Sequence, residues 1–151
     1  KEAGLDEKTA AYYLGIYGFL FMMGRFSGTF FLKFVKDYIL LSIYCIISAF
    51  LCLVAIYGSG IYIIYALGGI GFFMSIMFPT IFSLAISGLG SHTGQGSGIL
   101  CLAIVGGAVL PLAQAALADN FGVQLAFIIP LLCYVYIAWY GAVGSKPKTT
   151  A

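Results

Sequence analysis

Charged side chains are nearly absent from the long apolar stretches of this chain, and Gln114 is the clearest uncharged polar residue deep within one. Gln114 follows Pro111 by three residues, and its amide can bind a ligand hydroxyl or a backbone carbonyl that this proline leaves without a donor. Arg25 lies between Gly24 and Gly28, a spacing typical of close helix contacts. Its guanidinium can extend toward water or pair with a carboxylate. Hydrogen bonding and charge pairing are therefore the interactions that these two side chains can make.

The cysteines and the single histidine form no catalytic or metal-binding pattern. Cys45, Cys52, Cys101 and Cys133 stand in apolar stretches, outside any CxxC pair and away from His or acidic residues. His92 is alone in a Gly/Ser-rich loop, and no stretch has the Ser/His or paired-carboxylate pattern of an intramembrane enzyme. We therefore expect buried free thiols, no metal, no cofactor and no enzymatic activity.

The distribution of charge indicates what surrounds the chain. The 151 residues are 62% hydrophobic and 8% charged, and between Asp37 and Lys146 only Asp119 is formally charged. A soluble surface needs about a quarter of Lys, Arg, Asp and Glu. The net charge of +2, without a basic run interleaved with aromatics, does not predict nucleic-acid binding. The solvent around these residues must be the lipid bilayer.

Runs of about 20 apolar residues match the thickness of a bilayer core when they are helical. The sequence therefore predicts an all-α membrane protein, with a bundle of five transmembrane helices within residues 11–145. The predicted spans are 11–32, 38–57, 61–87, 98–117 and 123–143.

Basic residues predict the orientation of these spans. Five of them fall on one side of a five-span bundle: Arg25, Lys33, Lys36, Lys146 and Lys148. Only Lys1 and Lys8 fall on the other side, beside acidic residues. Cytoplasmic loops carry the excess of Lys and Arg. We expect residues 1–10 to form an extracytoplasmic loop and residues 146–151 a cytoplasmic tail, in a bacterial inner membrane or a comparable plasma membrane.

Glycines and prolines interrupt the third and fourth spans: Gly68, Gly69, Gly71 and Pro79 in the third, and Gly106, Gly107 and Pro111 in the fourth. Interrupted helices in pairs point to a transport pathway, whereas close packing with a harmless kink is the alternative. Most tyrosines lie near span ends, as in interfacial aromatic belts. Tyr17 and Tyr134 lie deep enough to contact a ligand instead.

Residues 77–100, MFPTIFSLAISGLGSHTGQGSGIL, strongly resemble a stretch of the fucose–proton symporter family of the major facilitator superfamily, and in particular its glucose/galactose transporters. Three shorter stretches support the resemblance: residues 24–28 with the following Lys33, residues 104–108 leading to Pro111, and residues 117–119. The resemblance covers nearly the whole chain from Tyr12 onward.

The resemblance implies that the spans are helices eight to twelve of a twelve-helix transporter, a partial C-terminal half of the major facilitator fold. Such transporters move a monosaccharide of the fucose, glucose or galactose class by alternating access, coupled to a proton or sodium gradient. The third span would be the tenth helix and would face the central cavity. The coupling carboxylates of the family belong to the N-terminal half, which this chain lacks.

The resemblance also implies roles for particular residues. Met77, Phe78 and Pro79 become candidate cavity or gate residues, with the Phe78 ring able to stack on a sugar. Gln114 and Tyr17 are further candidates for sugar binding, and Arg25 with Gly24 and Gly28 for contacts at the inner gate or loop. Family members often have Asn where this chain has Met74. The rival prediction is a non-transporting membrane subunit or scaffold whose Gly-rich helix faces serve association.

Overall fold

The structure, a computed structural model, describes residues 7–145, and each regular element within that range is helical. The predicted tail 146–151 and the first six residues of the predicted N-terminal loop lie outside the described residues. The elements are α1 (Glu7–Phe31), α2 (Asp37–Tyr57), α3 (Ile61–Met74), α4 (Met77–Ile86), a 3₁₀ turn (Gly90–His92), α5 (Thr93–Ala103), α6 (Gly106–Phe121), α7 (Val123–Ala126), α8 (Ile128–Trp139) and a π-helical turn (Tyr140–Gly144).

Four helical stretches are long and apolar enough to cross a membrane: Asp37–Tyr57, Ile61–Ile86, Gly90–Phe121 and Val123–Gly144. The first predicted span corresponds to α1, which at 25 residues is long enough but is less apolar because of its glycines, tyrosines and Arg25. The chain is therefore an all-helical, multi-pass membrane protein, as predicted. The helix in the fourth span begins at Thr93, before predicted residue 98, and ends at Phe121.

Prolines account for two of the breaks between consecutive helices. Pro79 has no N–H to offer the carbonyl of Ser75, four residues earlier, and α3 gives way to α4 at Ser75–Ile76. In the same way, Pro130 leaves the Ala126 carbonyl without its helical donor, and α7 ends there. Pro111 differs, because α6 continues through it.

The glycines of the third span do not interrupt α3. They serve close packing, which is the alternative left open by the sequence. A Cβ added at Gly68 would lie 3.0 Å from Leu20 Cδ1, and one at Gly71 would overlap the Tyr17 ring. The small residues thus let α1 approach the α3 backbone closely.

Within the described range, α2 lies between α3 and α8, and α1 packs on α3. The buried core is Leu40, Leu41, Tyr44, Cys45, Cys52, Ile70, Ile76, Met77 and Tyr134. The prediction of buried free thiols holds for Cys45 and Cys52, whereas Cys101 is exposed and Cys133 half-buried. In contrast, α5 and α6 have no buried residue and contribute none to this core.

Candidate functional site

The phenol of Tyr134 crosses from α8 to the break that ends α3. Its hydroxyl lies 3.4 Å from Met74 Sδ, to which it donates a hydrogen bond. Tyr134 is buried, whereas Met74 is 40% exposed at the last residue of α3. The pair therefore brings a hydroxyl group to the edge of an otherwise apolar core.

A cavity of about 180 Å³ lies between α6 and α8 and includes Tyr134 in its wall. The other lining residues are Leu110, Pro111, Gln114, Ile129, Pro130 and Cys133. This wall is mostly apolar, and Gln114 contributes an uncharged amide that can donate to and accept from a ligand hydroxyl. The hydroxyl of the buried Tyr134 is donated to Met74, which is not among the lining residues.

The position of Gln114 decides whether its amide can reach the carbonyl freed by Pro111 or can bind a ligand hydroxyl. The carbonyl that Pro111 deprives of a helical donor belongs to Gly107, seven residues before Gln114. At 1.5 Å rise per residue, this carbonyl lies about 10 Å away along the helix axis, which is beyond the reach of a glutamine amide. The half-buried amide is therefore available to a ligand entering the cavity.

The three consecutive candidates of α4 separate onto two faces. Met77 is 4% exposed, and its Sδ lies 3.8 Å from Cys45 Sγ in the contact with α2. Phe78 is 57% exposed, with its ring centroid 6.2 Å from that of Phe82, and Pro79 is exposed beside it. The structure therefore leaves Phe78 and Pro79 open to a ligand, whereas Met77 belongs to the core.

The candidate site residues of α1 contact α3 at two places along its length. The half-buried Tyr17 lies against Gly71, one turn before Met74. Nearer the α3–α4 break, a Cβ added at Gly24 would lie 2.7 Å from Ser75 Oγ, and one at Gly28 would lie 2.7 Å from Ile76 Cδ1. Gly24 and Gly28 thus let α1 pack directly against the α3–α4 break.

Arg25 points back along α1 rather than into this contact. Its guanidinium carbon lies 5.8 Å from the centroid of the Phe21 ring, and the residue is exposed. A cation over an aromatic face is stabilised by the ring quadrupole. Arg25 therefore presents its charge on the outer side of α1, away from Gly24 and Gly28.

A second and larger cavity, of about 740 Å³, lies where α2 ends and α3 begins. Its walls come from the ends of α2 and α6, the starts of α3 and α8, and the first three residues of α7. There Gln124 Nε2 donates a 2.9 Å hydrogen bond to the Gly58 carbonyl and ties two loops together. Tyr57, Ser59 and Gln124 also line this cavity, so it offers polar side chains as well as aliphatic ones.

The pair of Met74 and Tyr134 is the feature that sequence reasoning missed. The sequence singles out Met74 as a departure from a family asparagine and Tyr134 as a tyrosine deep in a span, but it does not pair them. Their contact joins positions 60 residues apart, and no local pattern encodes it.

Among residues 7–145, no group of three His, Cys, Asp or Glu side chains could hold a metal ion.

Curated relatives cover nearly all of the chain, although no protein-family model matches it. It is 49% identical over 144 residues to a glucose/galactose transporter of Brucella abortus, covering 95% of this chain and 35% of that protein. It is 39% identical over 153 residues to a putative glucose/galactose transporter of Helicobacter pylori (98% and 38%). It is 33% identical over 147 residues to the L-fucose-proton symporter of Escherichia coli (97% and 34%).

The fold is similar to that of solved structures of FucP. A crystal structure of this major facilitator superfamily transporter in the outward conformation superposes with a TM-score of 0.90 at 33% identity, over 95% of this chain and 35% of FucP. A structure of the Escherichia coli fucose:proton symporter FucP gives the same values. The chain thus spans about a third of the length of the relatives it matches. By name these relatives are transporters rather than enzymes, in agreement with the prediction.

Proposed function

We propose that the chain is part of a monosaccharide transporter of the fucose–proton symporter family, which its similarity to the glucose/galactose transporters and to FucP supports over the part of them that it spans. The observation that carries this proposal is the half-buried, uncharged amide of Gln114 in a cavity between two apolar helices, with Tyr134 in the same wall. A sugar presents uncharged hydroxyls and requires such groups. The transporter works by alternating access around a site near the bilayer midplane.

In this proposal the five predicted spans are the last five of twelve helices. The α3–α4 pair is the tenth helix and faces the sugar, and α5 with α6 is the eleventh. The N-terminal end of α1 lies outside and the end of α8 lies toward the cytoplasm, in a bacterial inner membrane or comparable plasma membrane. Lys33 and Lys36, both exposed between α1 and α2, support this orientation through the positive-inside rule.

Each open candidate has a distinct task in the pathway. The Phe78 ring stacks on a face of the sugar, and the Gln114 amide hydrogen-bonds one of its hydroxyls. Tyr17, held against α3, contributes a further wall near Met74. Arg25 contacts the inner gate or loop, where a carboxylate from the rest of the transporter can pair with it.

Uphill transport requires a coupling ion, which is a proton or a sodium ion. From Lys8 to Ser145 the only acidic residues are Asp37 and Asp119, each at a helix end rather than in the middle of a span. A coupling site needs an ionisable group within the membrane. We therefore assign coupling to the part of the longer protein that lies outside this sequence.

Alanine substitutions of Phe78 and Gln114 test the proposal. In the full-length protein, Phe78→Ala and Gln114→Ala should each lower sugar uptake at unchanged membrane expression. Leu112→Ala is the matched control, since Leu112 lies on the same helix as Gln114 and is 72% exposed outside the cavity. Uptake kinetics that are unchanged in both Phe78→Ala and Gln114→Ala would overturn the assignment of these residues to sugar binding.

A further inference from the structure

The turn between α1 and α2, residues 32–36, is fixed in place by its own apolar residues. Leu32 and Val35 pack against the buried core. The Val35 N–H donates a 2.9 Å hydrogen bond to the Phe31 carbonyl, which closes the end of α1. Because two residues of the turn are anchored inward, the side chains between and after them are presented outward in a defined arrangement.

Those outward side chains combine aromatic and cationic groups. Lys33 and Lys36 are exposed, and Phe34 between them is 74% exposed. The ring of Phe34 lies 5.2 Å from that of Phe30, centroid to centroid, and Phe30 lies one turn further into α1. The surface is therefore apolar on the α1 side and positively charged at the turn.

Little negative charge is available within the chain to balance these lysines. From Lys8 to Ser145 the acidic residues are Asp37 and Asp119, and Asp119 belongs to the distant end of α6. Asp37 is half-buried in the first turn of α2, where a carboxylate complements the positive end of the helix dipole. The exposed surface thus keeps a positive charge that an external anion can neutralise.

We infer that this turn binds the headgroup of an anionic phospholipid. Lys33 and Lys36 contact the lipid phosphate, while Phe30 and Phe34 lie among the upper parts of the acyl chains. Phe30 lies near the end of α1, about one helical turn or 5 Å before the turn that carries the lysines, which matches the order of acyl chain and headgroup in a leaflet. Exposed phenylalanines beside the lysines favour a lipid over a soluble anion. The inference requires only a membrane-embedded chain and does not depend on sugar transport.

Lipid titration of the purified full-length protein tests this inference. The probes are phosphatidylglycerol and phosphatidylcholine with the same fluorescent acyl chain, added to protein in neutral detergent. We expect phosphatidylglycerol to bind about tenfold more tightly than phosphatidylcholine, since each basic residue near an anionic lipid adds to the electrostatic attraction. The double variant Lys33→Gln/Lys36→Gln should lose this preference, whereas Lys33→Arg/Lys36→Arg should keep it.

A matched control lies at the other end of the same helix. Lys8→Gln removes an exposed charge from the start of α1 and should leave the preference intact. The inference would be overturned if the double Gln variant still preferred phosphatidylglycerol. It would also be overturned if Lys8→Gln lost the preference equally, because the net charge of the protein alone would then explain the binding. Full displacement of phosphatidylglycerol by millimolar inorganic phosphate would also overturn it, because the site would then recognise a free anion.

Discussion

The hydroxyl of Tyr134 donates a hydrogen bond to the sulfur of Met74 over 3.4 Å and thereby joins α8 to the end of α3. A thioether sulfur is a weak acceptor. We expect a sugar hydroxyl that reaches Met74 to replace the sulfur as partner at small cost. The contact with Met74 holds the phenol in the wall of the Gln114 cavity.

Removing that hydroxyl should weaken sugar binding. We predict that Tyr134→Phe raises the KM of uptake about 2- to 10-fold, which corresponds to one lost hydrogen bond. Tyr136→Phe is the control, because Tyr136 lies on the same helix but is exposed on its outer side. Initial uptake rates at varied sugar concentration measure both. An equal KM in the two variants would refute the role of Tyr134.

Substituting Met74 should change binding in the opposite direction. Met74→Asn offers a donor and an acceptor to the ligand, and we predict a KM lower by about 2- to 10-fold for at least one monosaccharide. Met74→Leu, which keeps the volume without hydrogen-bonding ability, should not lower it. Competition between labelled and unlabelled sugars would measure the change, and a KM unaltered for fucose, glucose and galactose would contradict the prediction.

Two glycines of α1 should respond oppositely to alanine. A Cβ at Gly24 would overlap the Phe72 carbonyl oxygen, which is backbone and cannot move aside. Gly24→Ala should therefore destabilise the protein by about 1–3 kcal/mol. At Gly18, where nothing lies within 4 Å, alanine should stabilise the helix by about 0.5–1 kcal/mol. Thermal unfolding in detergent measures both, and shifts of the same sign would argue against the close contact.

The break before α4 should close when its proline is replaced. Pro79→Ala restores an N–H for the Ser75 carbonyl, so the amides of residues 77 and 78 at the break should exchange more slowly with deuterium. We also expect a lower maximal uptake rate, because a continuous helix resists the bending that alternating access requires. Unchanged exchange would mean that packing on Gly24 and Gly28, rather than Pro79, maintains the break.

Much of the fold could be predicted because it depends on local composition. The near-absence of charge after Asp37 predicted membrane helices, and four stretches of the structure have the required length and hydropathy. Pro79 predicted an interruption in the third span, and the structure places it four residues earlier, where the carbonyl loses its donor. These signals act within one helical turn, so the sequence alone reveals them.

Contacts between helices were beyond such reasoning. The sequence did not reveal that Gly71 receives the Tyr17 ring, nor that Met77 faces Cys45 while its neighbour Phe78 is exposed. Both depend on how helices distant along the chain rotate against each other. The same limit applies to Tyr134 and Met74, whose pairing requires α8 to pack beside the end of α3.

Reconstituted transport tests the central claim most directly. The full-length protein in proteoliposomes should accumulate radiolabelled fucose, glucose or galactose against its concentration gradient when an inward proton or sodium gradient is imposed. Collapsing that gradient with an ionophore should abolish accumulation, and Gln114→Ala should reduce it. Failure of correctly folded protein to accumulate any of the three sugars under either gradient would contradict the account.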